Sequence, residues 1–250
     1  MVRTVFITGT DTGVGKSIFT AILGLACNKE FKTAIYKPIQ TGLHTDVEHL
    51  LELTGNSIPI YNSLTYSLPA APTVAAQYEN KIVDLEKVLT DLDNLKKNYE
   101  LVIVEGIGGI AVPFATNDYL VSDLIKNCNI PTIVVARPNL GTINHTLLTL
   151  EHALNKGISI LGFVISGYDE KTQDTAILTA SSEIEKSSHL PCLSKIPAFQ
   201  SVSFKNLEDF ALSTVFQSTY KSLIKMVSSS DSSSAASSCS SNNPKSSAKV

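Results

Sequence analysis

Nine consecutive residues, Gly9-Thr10-Asp11-Thr12-Gly13-Val14-Gly15-Lys16-Ser17, carry the residue types of a phosphate-binding loop. The glycines let backbone N–H groups close around phosphate oxygens, Lys16 reaches the terminal phosphates, and the Ser17 hydroxyl suits a magnesium ion. The usual Gly-x-x-x-x-Gly-Lys-Ser/Thr spacing, counted back from Gly15, puts Thr10 where the first glycine belongs, and Gly9 stands one residue early. The loop follows the apolar run Val5-Phe6-Ile7 and opens a helical pattern, whose positive dipole end would meet the same anion.

Three further clusters could share that chemistry. Lys37 follows the strand-like run Thr33–Tyr36, and Pro38 is expected to break the strand at once, leaving the ammonium at a strand tip where it can neutralise a phosphate or a carbamate. Glu105 ends the apolar run Leu101–Val104 and precedes Gly106-Ile107-Gly108-Gly109, a turn that allows close backbone approach to a ligand. Glu105 with Ser17 would fill the protein's share of a magnesium shell. Asp46 reads two ways, as a metal contact or as part of a capping box formed by Thr45 and Glu48. Asn139 to Thr146 opens a helix whose first-turn N–H groups suit a carboxylate. His145 lacks an acidic partner nearby in sequence, and His44, His49, His152 and His189 show no metal spacing.

The elements that must position these residues alternate. Strands are predicted at 2–7, 33–36, 101–104, 131–135, 161–165 and 192–195, and helices at 17–28, 47–53, 85–95, 120–127, 143–154, 172–186 and 206–226. Such alternation implies an α/β fold: a single domain, residues 1–227, with a mostly parallel sheet covered by helices on both faces. Residues 228–250 turn abruptly serine-rich and are expected to form a disordered tail. A net charge of −3 offers no basic face for nucleic acid. No apolar run is long enough to span a bilayer, and the chain starts on a strand pattern instead of a signal segment, so a cytoplasmic protein is expected. Cys27, Cys128, Cys192 and Cys239 are scattered, without zinc or disulfide spacing.

Gly9 to Ser17, Tyr36-Lys37-Pro38-Ile39-Gln40-Thr41-Gly42, Val104 to Gly109 and Leu140-Gly141-Thr142-Ile143-Asn144-His145-Thr146 together resemble the dethiobiotin synthetases, over about 2–199 and in the family's order. The resemblance implies a P-loop NTPase type of fold and a ring closure dependent on ATP and Mg2+. In it 7,8-diaminononanoate and CO2 give a carbamate, ATP phosphorylates it, and the second amine closes the ureido ring. By the same resemblance, Lys16 and Thr12 hold the transferring phosphoryl group, Lys37 stabilises the carbamate, and Ser17, Asp46 and Glu105 surround magnesium. The nucleotide would lie along Gly13, Val14, Gly15, Lys16, Ser17 and Ile18, beside Gly106, Ile107 and Gly108. Its base would face Ser166, Gly167, Pro197 and Ala198. Thr41 would contact the diamine, the Ala70-Ala71-Pro72 turn would border the substrate site, and Gly141, Thr142, Ile143 and Asn144 of a partner chain in a homodimer would receive the substrate carboxylate.

Two departures from the family stand out. Ser17 replaces a threonine and keeps the hydroxyl. Ser166 replaces an asparagine that reads the adenine edge; one hydroxyl offers fewer base hydrogen bonds, so relaxed nucleotide preference is expected. The other readings are a partitioning-type ATPase switch, discounted because Asp11 stands where that class has a lysine, and an amidotransfer ligase, discounted because no glutaminase segment is attached. A non-catalytic paralogue would be expected to lack Lys16, Lys37 or Glu105, and all three are present.

Overall fold

The computed structural model describes residues 2–42, 46–116 and 118–233. In chain order the elements are β1 (Arg3–Gly9), α1 (Lys16–Cys27), β2 (Thr33–Thr41), α2 (Asp46–Leu53), β3 (Ile60–Tyr66), α3 (Pro72–Tyr78), α4 (Leu85–Asn98) and β4 (Leu101–Glu105). They continue with α5 (Val121–Cys128), β5 (Thr132–Ala136), α6 (Thr142–Asn155), β6 (Ile160–Tyr168), α7 (Thr175–Ser188), β7 (Cys192–Pro197), α8 (Phe204–Ala211) and α9 (Thr214–Ser233). The seven strands form one sheet in the order β3-β2-β4-β1-β5-β6-β7, with every neighbouring pair parallel. A parallel sheet needs helical cover on both faces, which is why β1, β4 and β5 are mostly apolar and buried along their whole length apart from Arg3.

Side-chain alternation sorts the core into two layers. Val5, Ile7, Ile35, Ile103, Ile133 and Val135 face α1, α8 and α9, where Phe19, Ile22, Leu207, Phe216 and Tyr220 complete one cluster. Phe6, Tyr36, Val102 and Val104 face the other way, against Val88 and Leu92 of α4 and Leu124 and Ile125 of α5. A third cluster lies under α6 and α7, around Val134, Phe163, Ile165, Leu150 and Ile184.

Besides the longer course of β2 described below, the structure departs from the sequence reading in four places. β3 is an extra edge strand, and its polar composition, Ile-Tyr-Asn-Ser-Leu-Thr-Tyr, hides its alternation. α3 is a short extra helix that begins on Pro72, a residue favoured in a first turn. The single helix read over 206–226 is two, because Ser213 Oγ accepts the Phe216 N–H at 3.3 Å and starts α9 afresh. α9 then runs to Ser233, past the boundary read at 227, on a buried stripe of Phe216, Tyr220, Leu223 and Val227. The remainder of the serine-rich tail lies outside the described residues.

Candidate active site

β2 does not stop at Pro38. Ile35 N–H donates to the O of Pro59, the residue before β3, so by alternation the nitrogen of residue 38 faces β4, whose pairing with β2 has already ended at Tyr36 and Val104. Proline therefore costs no ladder bond there, and the strand runs on to Thr41. The expected strand tip is corrected to a position inside the strand. Lys37 lies one residue past the last pairing with β4, on the same face as Ile35, and that face looks at α1.

Glu105, the last residue of β4, shares that face with Ile103 and meets Lys37. Lys37 Nζ lies 2.9 Å from Glu105 Oε1, 3.1 Å from Gly106 O and 2.7 Å from Asp46 Oδ2 at the start of α2. Ser17, in the first turn of α1, donates its hydroxyl to Glu105 Oε1 at 3.0 Å. Lys37 and Glu105 are 2% and 1% exposed, so the pair is a buried one. Burial pulls the Lys37 ammonium pKa down, but the carboxylates of Glu105 and Asp46 outweigh it and leave the lysine above its ordinary value. It is a fixed positive charge. Glu105 Oε2 is buried and accepts no hydrogen bond.

The loop between β1 and α1 is built as a phosphate cradle. Gly13 and Gly15 have φ of 71° and 95°, and Gly15 caps α1 with no side chain over its first amides. The unusual glycine spacing has a local cause. A Cβ on Gly9 would fall 2.8 Å from Val14 Cγ2, 3.0 Å from Asp11 O and 3.2 Å from Lys16 Nζ, so Gly9 makes room for the folded-back loop one residue early. Lys16 Nζ donates to Asp11 O at 2.9 Å across the loop. Burial first, and the neighbouring Lys37 charge second, push the Lys16 pKa down to about 8.

A cavity of about 680 Å³ opens over these residues at the carboxyl ends of the strands, where ligands of open α/β sheets collect. Of the residues read from sequence, Thr12, Gly13, Gly15, Lys16, Ser17, Ile18, Lys37, Thr41, Asp46, Glu105, Ile107 and Gly108 line it, together with Ala70, Ala71 and Pro72. Val14 is buried behind the loop, and Gly106 contributes its carbonyl to Lys37. His49 and Val112 also line the cavity and were not read as site residues. His49 stands three positions after Asp46, a spacing that puts both on one helix face and could have flagged it.

The residues expected on the base side form a group of their own. Ser166 is buried beside the loop, where a Cβ on Gly15 would lie 2.2 Å from its Oγ. Ser166 pairs with Ile196, Tyr168 pairs with Pro197, and Ala198 N–H donates to Tyr168 O, which brings Gly167, Pro197 and Ala198 to the adjacent strand ends. None of the four lines the 680 Å³ cavity. Gly141, Thr142, Ile143 and Asn144 open α6 and likewise do not line it. Thr45, the candidate cap beside Asp46, and His44 lie outside the described residues. Cys27, Cys128 and Cys192 form no disulfide with one another, and no helix among the described residues is long and apolar enough to cross a membrane.

Comparison with known proteins agrees with this geometry. A sequence model described as an AAA domain matches residues 3–206. The ATP-dependent dethiobiotin synthetase BioD of Bacillus velezensis is 37% identical, covering 90% of this chain and 99% of the relative. Those of Methanococcus vannielii and Methanocaldococcus jannaschii are 36% and 40% identical, over 82% and 72% of this chain and 88% and 91% of theirs. Among solved structures, the cell division ATPase MinD of Pyrococcus furiosus superposes with a TM-score of 0.55 at 17% identity, covering 90% of this chain and 100% of that one. The MinC:MinD complex of Aquifex aeolicus gives 0.59 at 16% identity, covering 90% and 96%. At such identity these likenesses carry the fold alone.

Proposed function

This chain belongs to the ATP-dependent dethiobiotin synthetases and carries out ATP-dependent dethiobiotin synthesis in biotin biosynthesis; we propose that it does so by charge stabilisation around Lys37, without a nucleophilic side chain. The single observation that carries this reading is the buried Lys37 ammonium beside the phosphate loop, lining one cavity with Lys16, Thr12 and Thr41.

In this reading 7,8-diaminononanoate, positioned by Thr41, takes up CO2 on one neutral amine as a carbamate, with loss of an amine proton to solvent. The carbamate oxygen attacks the γ-phosphorus of ATP and ADP leaves. The second amine then attacks the carbamoyl carbon, phosphate departs, and the ureido ring closes with loss of the amine proton. Lys37 neutralises the carbamate, while Lys16, Thr12 and the amides around Gly13, Val14 and Gly15 hold the phosphoryl oxygens. The dipole of α1 adds to the same charge.

The residues present fit magnesium. Ser17, Asp46 and Glu105 offer hard oxygen donors, and the unpartnered Glu105 Oε2 is a buried acceptor that a cation would satisfy. Among the described residues no three His, Cys, Asp or Glu gather into a full cage. That suits an ion that keeps phosphate oxygens and waters. When bound, magnesium would supply charge neutralisation on the ATP phosphates.

A homodimer and a cytoplasmic location belong to the same proposal. The start of α6 has no side-chain cap, and Leu140 and Leu148 around it are 89% and 58% exposed. A second copy would cover them and bring its Gly141–Asn144 amides to this chain's substrate carboxylate. Ser166 and Gly167, with Pro197 and Ala198, would face the base. The test is product identification: with ¹³C-bicarbonate, the diamine and ATP-Mg, the labelled carbon should appear in the ureido carbonyl of dethiobiotin. Unlabelled product, or none, overturns the proposed route.

A further inference from the structure

A carboxylate is an awkward group in a loop that receives a triphosphate. Asp11 stands at the open end of that loop with its side chain 56% exposed. Its Oδ1 accepts the Thr12 N–H at 2.7 Å, and its backbone oxygen accepts Lys16 Nζ at 2.9 Å. Its Oδ2 takes Nη2 of Arg137 at 2.6 Å. Arg137 is the first residue after β5, and β5 runs beside β1 with Gly9 against Val135 and Thr10 N–H bonded to Val135 O. The sheet therefore fixes the two loop mouths side by side. Nothing in the ring closure described above uses Arg137.

We propose that Arg137 is a positioning residue for nucleotide binding: it neutralises Asp11 and aims its carboxylate, so that the loop presents Thr12 and Lys16 instead of a negative charge to the incoming triphosphate. As a stabilising contact the pair is worth little, because both groups are partly exposed. Its consequence is electrostatic. An unpaired carboxylate a few ångströms from several phosphate charges lies inside the screening length of about 8 Å at physiological salt, so the repulsion reaches the ligand. The same carboxylate oxygens orient the Thr12 amide, and Lys16 leans on the carbonyl of the same residue, so a wandering Asp11 disturbs both groups that hold the phosphoryl. The inference rests on the nucleotide reading of the loop and is independent of ring closure.

The test is binding of a non-hydrolysable ATP analogue with magnesium to the full chain, without the diamine. Arg137→Ala should weaken binding about tenfold, from like-charge repulsion at short range. Arg137→Lys should keep it within about threefold, since the charge survives while the fork geometry is lost. Asp11→Asn with Arg137→Ala should return affinity to within about threefold of the parent, because the carboxylate that needed neutralising is gone and Asn Oδ1 still accepts from Thr12. Unchanged affinity in Arg137→Ala overturns the inference. So does a double variant as weak as Arg137→Ala, which would make the arginine a mechanical brace. A chain that binds the analogue in this pattern but makes no dethiobiotin would overturn the synthetase mechanism and leave this inference standing.

Discussion

Lys37 Nζ lies 2.9 Å from Glu105 Oε1 with both side chains almost wholly buried, and the second oxygen of Glu105 has no hydrogen-bond partner. One pair thus supplies a fixed cation facing the ligand cavity and an anion with capacity left over. Burying two charges is costly unless both stay partnered, and removing one partner is typically destabilising by about 3–5 kcal/mol. Lys37→Gln should therefore lower stability by that order in urea unfolding while abolishing turnover. Lys37→Met with Glu105→Leu should recover most of the stability and none of the activity. A double variant as unstable as the single would show that the pair is not the source of the loss.

Lys16 titrates near 8 in the free protein, below its unfolded value of about 10.4. Sign follows from linkage: between those values the unfolded chain holds the proton and the folded chain does not, so this group makes stability rise with pH across that window. A bound triphosphate favours the charged form and restores the proton. Binding of an ATP analogue at pH 8.5 should take up protons from a weak buffer, and Lys16→Met should take up fewer. Equal uptake by both proteins would assign it to another group.

Glycine geometry separates two loop variants. Gly15 has φ of 95°, and an added Cβ would lie 2.2 Å from Ser166 Oγ; Gly13 has φ of 71° and open space around it. Gly15→Ala should lose nucleotide binding beyond detection, whereas Gly13→Ala should weaken it by about tenfold, the cost of backbone strain alone. Isothermal calorimetry with an ATP analogue orders the two. The reverse order would contradict the loop geometry.

Ser166 offers one hydroxyl to a base, and it is packed against the loop. Turnover with CTP and GTP should fall within about tenfold of that with ATP, because a single hydroxyl can distinguish few base edges. Strict ATP dependence would locate base recognition elsewhere.

Shared sites predict complementation. A chain carrying Lys37→Gln mixed in equal amount and refolded with one carrying Asn144→Asp should regain roughly a quarter of parental activity, since half of the dimers are mixed and each of those has one intact site. Monomers by analytical ultracentrifugation, or no recovery on mixing, would contradict the partner's α6 as part of the site.

The fold was legible because Val5–Ile7 of β1, Leu101–Val104 of β4 and Ile133–Ala136 of β5 are short apolar runs separated by helical patterns, the alternation expected of a covered parallel sheet. β3 was not, since an edge strand buries too little to leave a clear alternation in Ile60–Tyr66. The loop, Lys37 and Glu105 could be read because their chemistry is local in sequence. The reason Pro38 is harmless could not, because it depends on which neighbour has already ended. Nor could the pairing of Asp11 with Arg137, which are joined only by the adjacency of β1 and β5.

Phosphate release from ATP-Mg, measured with and without 7,8-diaminononanoate and bicarbonate, tests the central claim most directly. Release that requires both, matches dethiobiotin mole for mole and disappears in a folded Lys37→Gln protein is the predicted result. Slow release indifferent to the diamine, or undiminished in that variant, would contradict a synthetase built around Lys37.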